Sequence, residues 1–218
     1  MTKKEVVLQH REMKKAKQKL AVADAFIKQL ETSKFEDVII KEVCVAAEIS
    51  EGTFYNYFPK KSDVIFYYRE ISFVKIIAHL KGLGSRYSAL QRINTIFDVL
   101  AEGVSNANVL YELSSLFIRN YERRQKRTLT PAEVCYIAPE VSYDDIIAAE
   151  SLHGVFCGLL RDAKKNEELP PRASVDDAAL SLNVIMAGVP MSIEEGRFAM
   201  LKKYYQKQLK LLWKALKK

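Results

Sequence analysis

Apolar residues in this chain recur at intervals of three and four almost from end to end, and no stretch alternates with period two for long. That spacing lines one face of a helix and leaves nothing with the pattern of a half-buried strand. Glycine and proline fall mainly between the periodic stretches, where they end one helix and let the next begin. The expected fold class is all-α. Leu20, Ala23, Ile27 and Leu30 stripe a first helix over about 11–31, and 32–37 break it, with Phe35 folding back onto the core. Short helices follow over about 40–47 and from Ser50 to before Pro59, because proline disfavours helix in the residue ahead of it. Ser62 and Asp63 open a long helix to about Lys81, their acidic start suiting the positive end of the helix dipole, and Gly82 and Gly84 stop it. Further helices are expected at about 86–104, 106–126, 131–137 and 142–168. Pro170 and Pro171 make a firm break. Ser174, with Asp176 and Asp177 behind it, starts a helix to about Gly188. Pro190 interrupts it, and a last helix covers about 197–217.

The chain has 218 residues, 49% of them hydrophobic, enough to bury a sizeable core and to argue against disorder. No apolar run approaches the roughly 18 residues that span a bilayer. The first residues are polar, without an apolar signal core. The cytoplasm is the expected compartment, and no membrane partner is expected. Cys44, Cys135 and Cys157 are far apart, which argues against a disulfide framework or a zinc site and for small buried thiols, with a thiol-based redox sensor as the alternative reading. His10, His79 and His153 are scattered without metal spacing, and no nucleophile–base–acid set is visible. The expectation is a protein that is not an enzyme and holds no metal or cofactor.

A net charge of +7 favours a polyanionic partner. The charge is grouped: Lys14, Lys15, Lys17 and Lys19; Arg119, Arg123, Arg124, Lys126 and Arg127; and Lys202, Lys203, Lys207, Lys210, Lys214, Lys217 and Lys218. Only the first group lies near the segment that carries a specific signal, residues 40–61. That segment reads as two short helices joined by a tight turn. Val43, Ala46 and Ala47 are expected to be buried, their small size letting the helices approach. Ser50 caps the second helix by accepting from exposed amides. Phe54 and Phe58, four residues apart, turn inward. The outward set is Glu51, Gly52, Thr53, Tyr55, Asn56 and Tyr57. A helix of this kind fits the DNA major groove: asparagine pairs with adenine, and threonine or tyrosine meets a thymine methyl or a phosphate. Lys41 and Lys61 stand at the flanks as phosphate anchors.

The run Val43-Cys-Val-Ala-Ala-Glu-Ile-Ser-Glu-Gly-Thr-Phe-Tyr-Asn-Tyr-Phe-Pro-Lys-Lys-Ser-Asp-Val-Ile65 closely resembles the DNA-binding domain of the tetracycline-repressor (TetR) family, over about residues 12–70. Beyond residue 80 only helix order and length can be compared. Two departures stand out. Glu48 occupies the turn position where the family usually has glycine, and a non-glycine residue at positive φ there costs about 1 kcal/mol. Lys60 stands where the family often has serine or threonine after the proline, leaving Ser62 and Asp63 to satisfy the start of the next helix.

The resemblance implies residues 1–61 as a helix-turn-helix DNA-binding domain and 62–218 as a helical effector-binding and dimerisation domain. It implies a homodimer, because one helix-turn-helix touches few bases and an inverted-repeat operator needs two at a set distance. Candidates for the dimer surface are Ala178, Leu182, Ile185 and Met186 on one helix and Tyr205, Leu209, Leu212 and Trp213 on the last. The resemblance also implies a small-molecule effector pocket among the middle helices, with Phe73, Ile77, Phe97, Tyr111, Phe117, His153, Phe156, Cys157 and Asn183 as candidate lining. The expected function is a ligand-responsive repressor that leaves its operator when the effector binds. A helical small-molecule carrier would have no use for Lys61 or an exposed Tyr55, Asn56 and Tyr57. A sequence-blind DNA-coating protein would carry longer basic tracts.

Overall fold

The computed structural model describes residues 3–84, 86–103, 107–119 and 129–217, and these residues are helical without a strand among them. The order is α1 (Lys3–Leu30), α2 (Ile40–Ala46), α3 (Glu51–Tyr57), α4 (Lys61–Gly82), α5 (Ala89–Glu102), α6 (Ala107–Arg119), α7 (Pro131–Ile137), α8 (Tyr143–Ala149), α9 (Leu152–Lys165), α10 (Val175–Met191), a 3-10 turn (Glu195–Met200) and α11 (Leu201–Leu216). The basic group beyond Arg119 lies outside the described residues. The chain forms two compact units, Met1–Lys75 with Asn108–Tyr143, and Ile76–Ala107 with Asp144–Lys218. Residues 1–61 fall wholly in the first, which also takes in 62–75 and 108–143.

In the first unit α1 packs against α2 and α7. Its stripe deepens into a core of Phe26, Leu30, Val43, Phe54, Phe58, Ile65, Tyr67 and Val134, all buried. Two expectations are corrected here. Ala46 is exposed and Cys44 is buried in its place, because the turn of α2 sets Val43, Cys44 and Ala47 inward. Lys19 does not belong to a basic face: it is buried, ion-paired with the buried Glu133 of α7, and lies 4.2 Å from the Tyr67 ring centre. Burial pushes its ammonium pKa down, against the pull of Glu133. Burial, reinforced by Glu133, pushes the Tyr67 phenol far up.

Helix α6 steadies the connection between α1 and α2. Asn108 Nδ2 donates to the carbonyl oxygens of Leu30 at 2.7 Å and Ser33 at 2.9 Å. The Phe35 amide donates to Glu112 at 3.2 Å. These bonds satisfy end-of-helix carbonyls and a loop amide that would otherwise depend on water.

In the second unit α5 packs on α9 and α11, and α10 on α9 and α11. The centre is aromatic: Phe97 stacks on Phe156 at 5.8 Å and meets Tyr205 edge-on at 5.1 Å. The start of α5 is fully capped. Ser88 and Gln91 form a capping box, while Glu168 accepts from the amides of Ala89 at 2.7 Å and Leu90 at 3.0 Å.

The single helix expected over 142–168 is two. Glu150 takes positive φ (55°), and Ser151 caps a new helix by accepting from the Gly154 amide at 3.1 Å. A Cβ on Gly154 would sit 3.0 Å from the Ala149 carbonyl oxygen, so glycine is what lets the junction close. Pro190, expected to interrupt α10, lies inside it one residue from its end. Proline has no N–H for the carbonyl four residues back, and the Tyr205 phenol donates to that carbonyl, on Met186, at 2.9 Å.

Candidate nucleic-acid interface

Ser50 lies in extended backbone and accepts from the Thr53 amide at 3.1 Å, fixing where α3 begins. Ahead of it, in the turn where a slightly altered shape was expected, Glu48 takes positive φ, 54°. Phe54 and Phe58 are buried, their rings 5.8 Å apart, and Phe58 meets Tyr67 of α4 at 5.4 Å. With that side anchored, Glu51, Gly52, Tyr55 and Asn56 share the opposite side and are all exposed. Positions i, i+1, i+4 and i+5 form one continuous patch on a helix. A Cβ on Gly52 would meet only the Ser50 Oγ, at 3.8 Å. Nothing inside the fold therefore requires glycine there, and the backbone is bare toward the outside.

Of the other expected contact residues, Thr53, Tyr57 and Lys61 are already engaged. Thr53 Oγ1 and Ser50 Oγ share a hydrogen bond of 2.9 Å. The Tyr57 phenol donates to Gln18 of α1 at 2.8 Å, and Lys15 lies 5.6 Å over its ring, so Tyr57 tethers α3 to α1. Burial pushes the Tyr57 phenol up. Lys61 donates to the Glu36 carbonyl oxygen, and burial pushes its ammonium down against the pull of Glu36 and Asp37. Lys41 is exposed at the start of α2. Sequence reasoning read Lys60 only as a lost helix cap; it is exposed beside Lys61, and its amide donates to Asp63 at 2.8 Å. The same reasoning passed over Gln29, whose Oε1 accepts from the Ile39 amide at 3.0 Å and caps α2 where Ile39 has no side chain to do so.

The candidate effector residues divide between the units. Phe73 and Tyr111 belong to the first, with Tyr111 exposed and not lining an interior wall; Phe117 is in the same unit but its side chain lies outside the described residues. Ile77, Phe97, His153, Phe156, Cys157 and Asn183 belong to the second. There Phe97 and Phe156 are core, while His153 is exposed, against the expectation of an apolar wall, and finds its polar partner in Asn183.

The candidate dimer residues also divide. Ala178, Leu182, Tyr205 and Leu209 are buried within their own subunit, a correction to their expected outward role. Ile185, Met186, Leu212 and Trp213 are half-buried, and Trp213 Nε1 donates to Asn94 at 3.0 Å. The apolar residues left outside are Leu180, Val184 and Met191 on one side of α10, and Leu211 on α11.

Among the described residues no helix is long and apolar enough to cross a membrane, and no group of three or more His, Cys, Asp or Glu residues is placed to hold a metal ion.

No protein-family model and no curated protein matches the chain. Solved structures do. A bacterial regulatory protein of the tetR family from Rhodococcus RHA1 matches with a TM-score of 0.55 at 13% identity, covering 91% of this chain and 96% of its own. GusR of Salmonella enterica matches with a TM-score of 0.57 at 16% identity, covering 92% and 96%. A protein described as a TetR-family transcriptional regulator, from Mesorhizobium loti MAFF303099, matches with a TM-score of 0.51 at 17% identity, covering 99% and 98%. The chain has the all-helical fold of these TetR-family regulators.

Proposed function

We propose that the chain is a DNA-binding transcriptional regulator that reads an inverted-repeat operator as a homodimer and releases it when a small molecule binds. The observation that carries this reading is the exposed patch of Glu51, Gly52, Tyr55 and Asn56, with bare backbone at Gly52. A helix with its Phe54 and Phe58 side locked inward and the opposite side open suits close approach to base edges. Exposed Lys41 and Lys60 supply the phosphate contacts. Asn56 reads adenine, Tyr55 a thymine methyl or a phosphate, and Glu51 accepts from a cytosine amino group.

Two copies meet through α10 and α11. Leu180, Val184 and Met191 fall on one side of α10, and Leu211 is exposed on the neighbouring α11. Exposed large apolar side chains on helices that pack together favour an interface, and two such pairs about a two-fold axis give a four-helix bundle.

Helix α4 is unbroken from Lys61 to Gly82 and runs from the reading unit into the other. A ligand that binds one setting of this rod better than another biases the spacing of the two α3 helices. Operator and ligand then oppose one another by equal factors.

The test is selection of bound genomic fragments, followed by competition between the recovered palindrome and random duplex. A preference of about a thousandfold or more supports the reading. Equal affinity would favour a sequence-blind coat, and no binding at all would favour a ligand carrier.

A further inference from the structure

Three side chains in the second unit form a cluster that DNA reading does not use. His153 and Cys157 sit one turn apart on α9, with His153 Nε2 3.6 Å from Cys157 Sγ. The other ring nitrogen, Nδ1, lies 2.8 Å from the side-chain amide of Asn183 on α10. His153 is exposed and Cys157 half-buried, so solvent reaches the pair. At Gly158, the next residue, an added Cβ would meet nothing within 4 Å. One turn beyond, Arg161 Nε donates to the Cys157 carbonyl oxygen at 3.2 Å.

The geometry assigns Cys157 as a covalent addition site for small conjugated carbonyl compounds, with His153 as its proton carrier and Asn183 as the residue that positions the ring. A thiol becomes a strong nucleophile when a neighbouring base takes its proton. The amide of Asn183, by a half-turn, presents either its oxygen or its nitrogen to Nδ1 and so supports either ring tautomer. With the oxygen toward the ring, Nδ1 holds a proton and Nε2 keeps the lone pair that accepts the thiol proton. Sγ then bonds to the β-carbon of the acceptor, and the π pair moves onto the carbonyl as an enolate. The Nε2 proton passes to the α-carbon. In sum S–H adds across C=C, nothing leaves, and no oxidant or reductant is consumed. Cys157 is the one cysteine of this unit, Cys44 and Cys135 both belonging to the other. The assignment stands whether or not the chain binds DNA.

The test treats the full chain with but-3-en-2-one and follows adduct formation at each cysteine by peptide mass spectrometry. Exposed Cys135 is the internal reference. Cys157 is expected to react about tenfold faster than Cys135, and His153→Gln, which keeps a polar side chain but cannot carry the proton, to remove most of that advantage. Asn183→Asp, which retains an acceptor for the ring, keeps the advantage, and Asn183→Leu loses it. Fluorescence of the sole tryptophan, Trp213, checks that the second unit remains folded in each variant. Equal rates at Cys157 and Cys135 in the unaltered chain, or an undiminished Cys157 rate in folded His153→Gln, would overturn the assignment.

Discussion

Lys61 Nζ donates to the carbonyl oxygen of Glu36 at 2.9 Å and lies 5.0 Å from the centre of the Phe35 ring. The lysine thus holds the α1–α2 connection against the start of α4, while Lys60 next to it is exposed and, among the described residues, no hydrogen bond or ion pair is made by its ammonium group. Lys61→Ala should lower stability by about 1 kcal/mol, the scale of one lost hydrogen bond. Lys60→Ala should leave stability within about 0.5 kcal/mol and reduce the salt slope of DNA binding by about one. Thermal melts and salt titrations of both variants separate the roles, and a reversed pattern would show them misassigned.

At Gly52 stability and binding should move in opposite directions. Alanine fits there without a clash and removes backbone freedom from the unfolded chain, so Gly52→Ala should stabilise the fold by about 0.5–1 kcal/mol. The same methyl stands between α3 and whatever it approaches, so palindrome affinity should fall. A variant that melts higher and binds as well as the parent would mean the bare backbone is not used.

Tyr205 and Pro190 should be energetically coupled. Tyr205→Phe leaves the Met186 carbonyl without a donor, at a cost of about 1–3 kcal/mol. Pro190→Ala restores a backbone N–H for that carbonyl. In the Pro190→Ala background Tyr205→Phe should therefore cost markedly less, a non-additivity of more than about 0.5 kcal/mol in denaturant unfolding. Simple addition of the two effects would rule the compensation out.

The carboxyl of Glu168 is pulled both ways. Its burial pushes the pKa up, but the amides of Leu90 and Ala89, the Ser88 side chain and the charge of Lys217 outweigh this and hold it below its ordinary 4.5. A carboxyl with a lower pKa folded than unfolded adds stability that is complete above the unfolded value. That stability drains away as pH falls through the folded value. Melting temperatures should drop more steeply below about pH 4.5 for the parent than for Glu168→Gln, the gap between them narrowing with acid. Parallel curves would mean the cap does not depend on the charge.

What was legible in the sequence was whatever depended on neighbours a few residues away. Ser50, Phe54 and Phe58 announced the start and inner side of α3 because caps and i, i+4 pairs are local. Tyr57 was misplaced among the free contacts because its hydroxyl answers to Gln18, 39 residues earlier. The break at Glu150 carried neither glycine nor proline in the turn itself, and its signal, Ser151 three residues ahead of Gly154, was easily passed over. On α10 and α11 the helical period was right and the phase was not. Val184 and Leu180 are as apolar as Leu182 and Ala178, and a helix apolar on several sides does not say which side turns inward.

The uncovered row of Leu180, Val184 and Met191 bears on dosage. If two chains must close over it before either α3 finds its half-site, then at scarce supply the bound fraction of operator grows as the square of subunit concentration. A cell diluting this protein by growth would feel its grip loosen faster than its abundance falls.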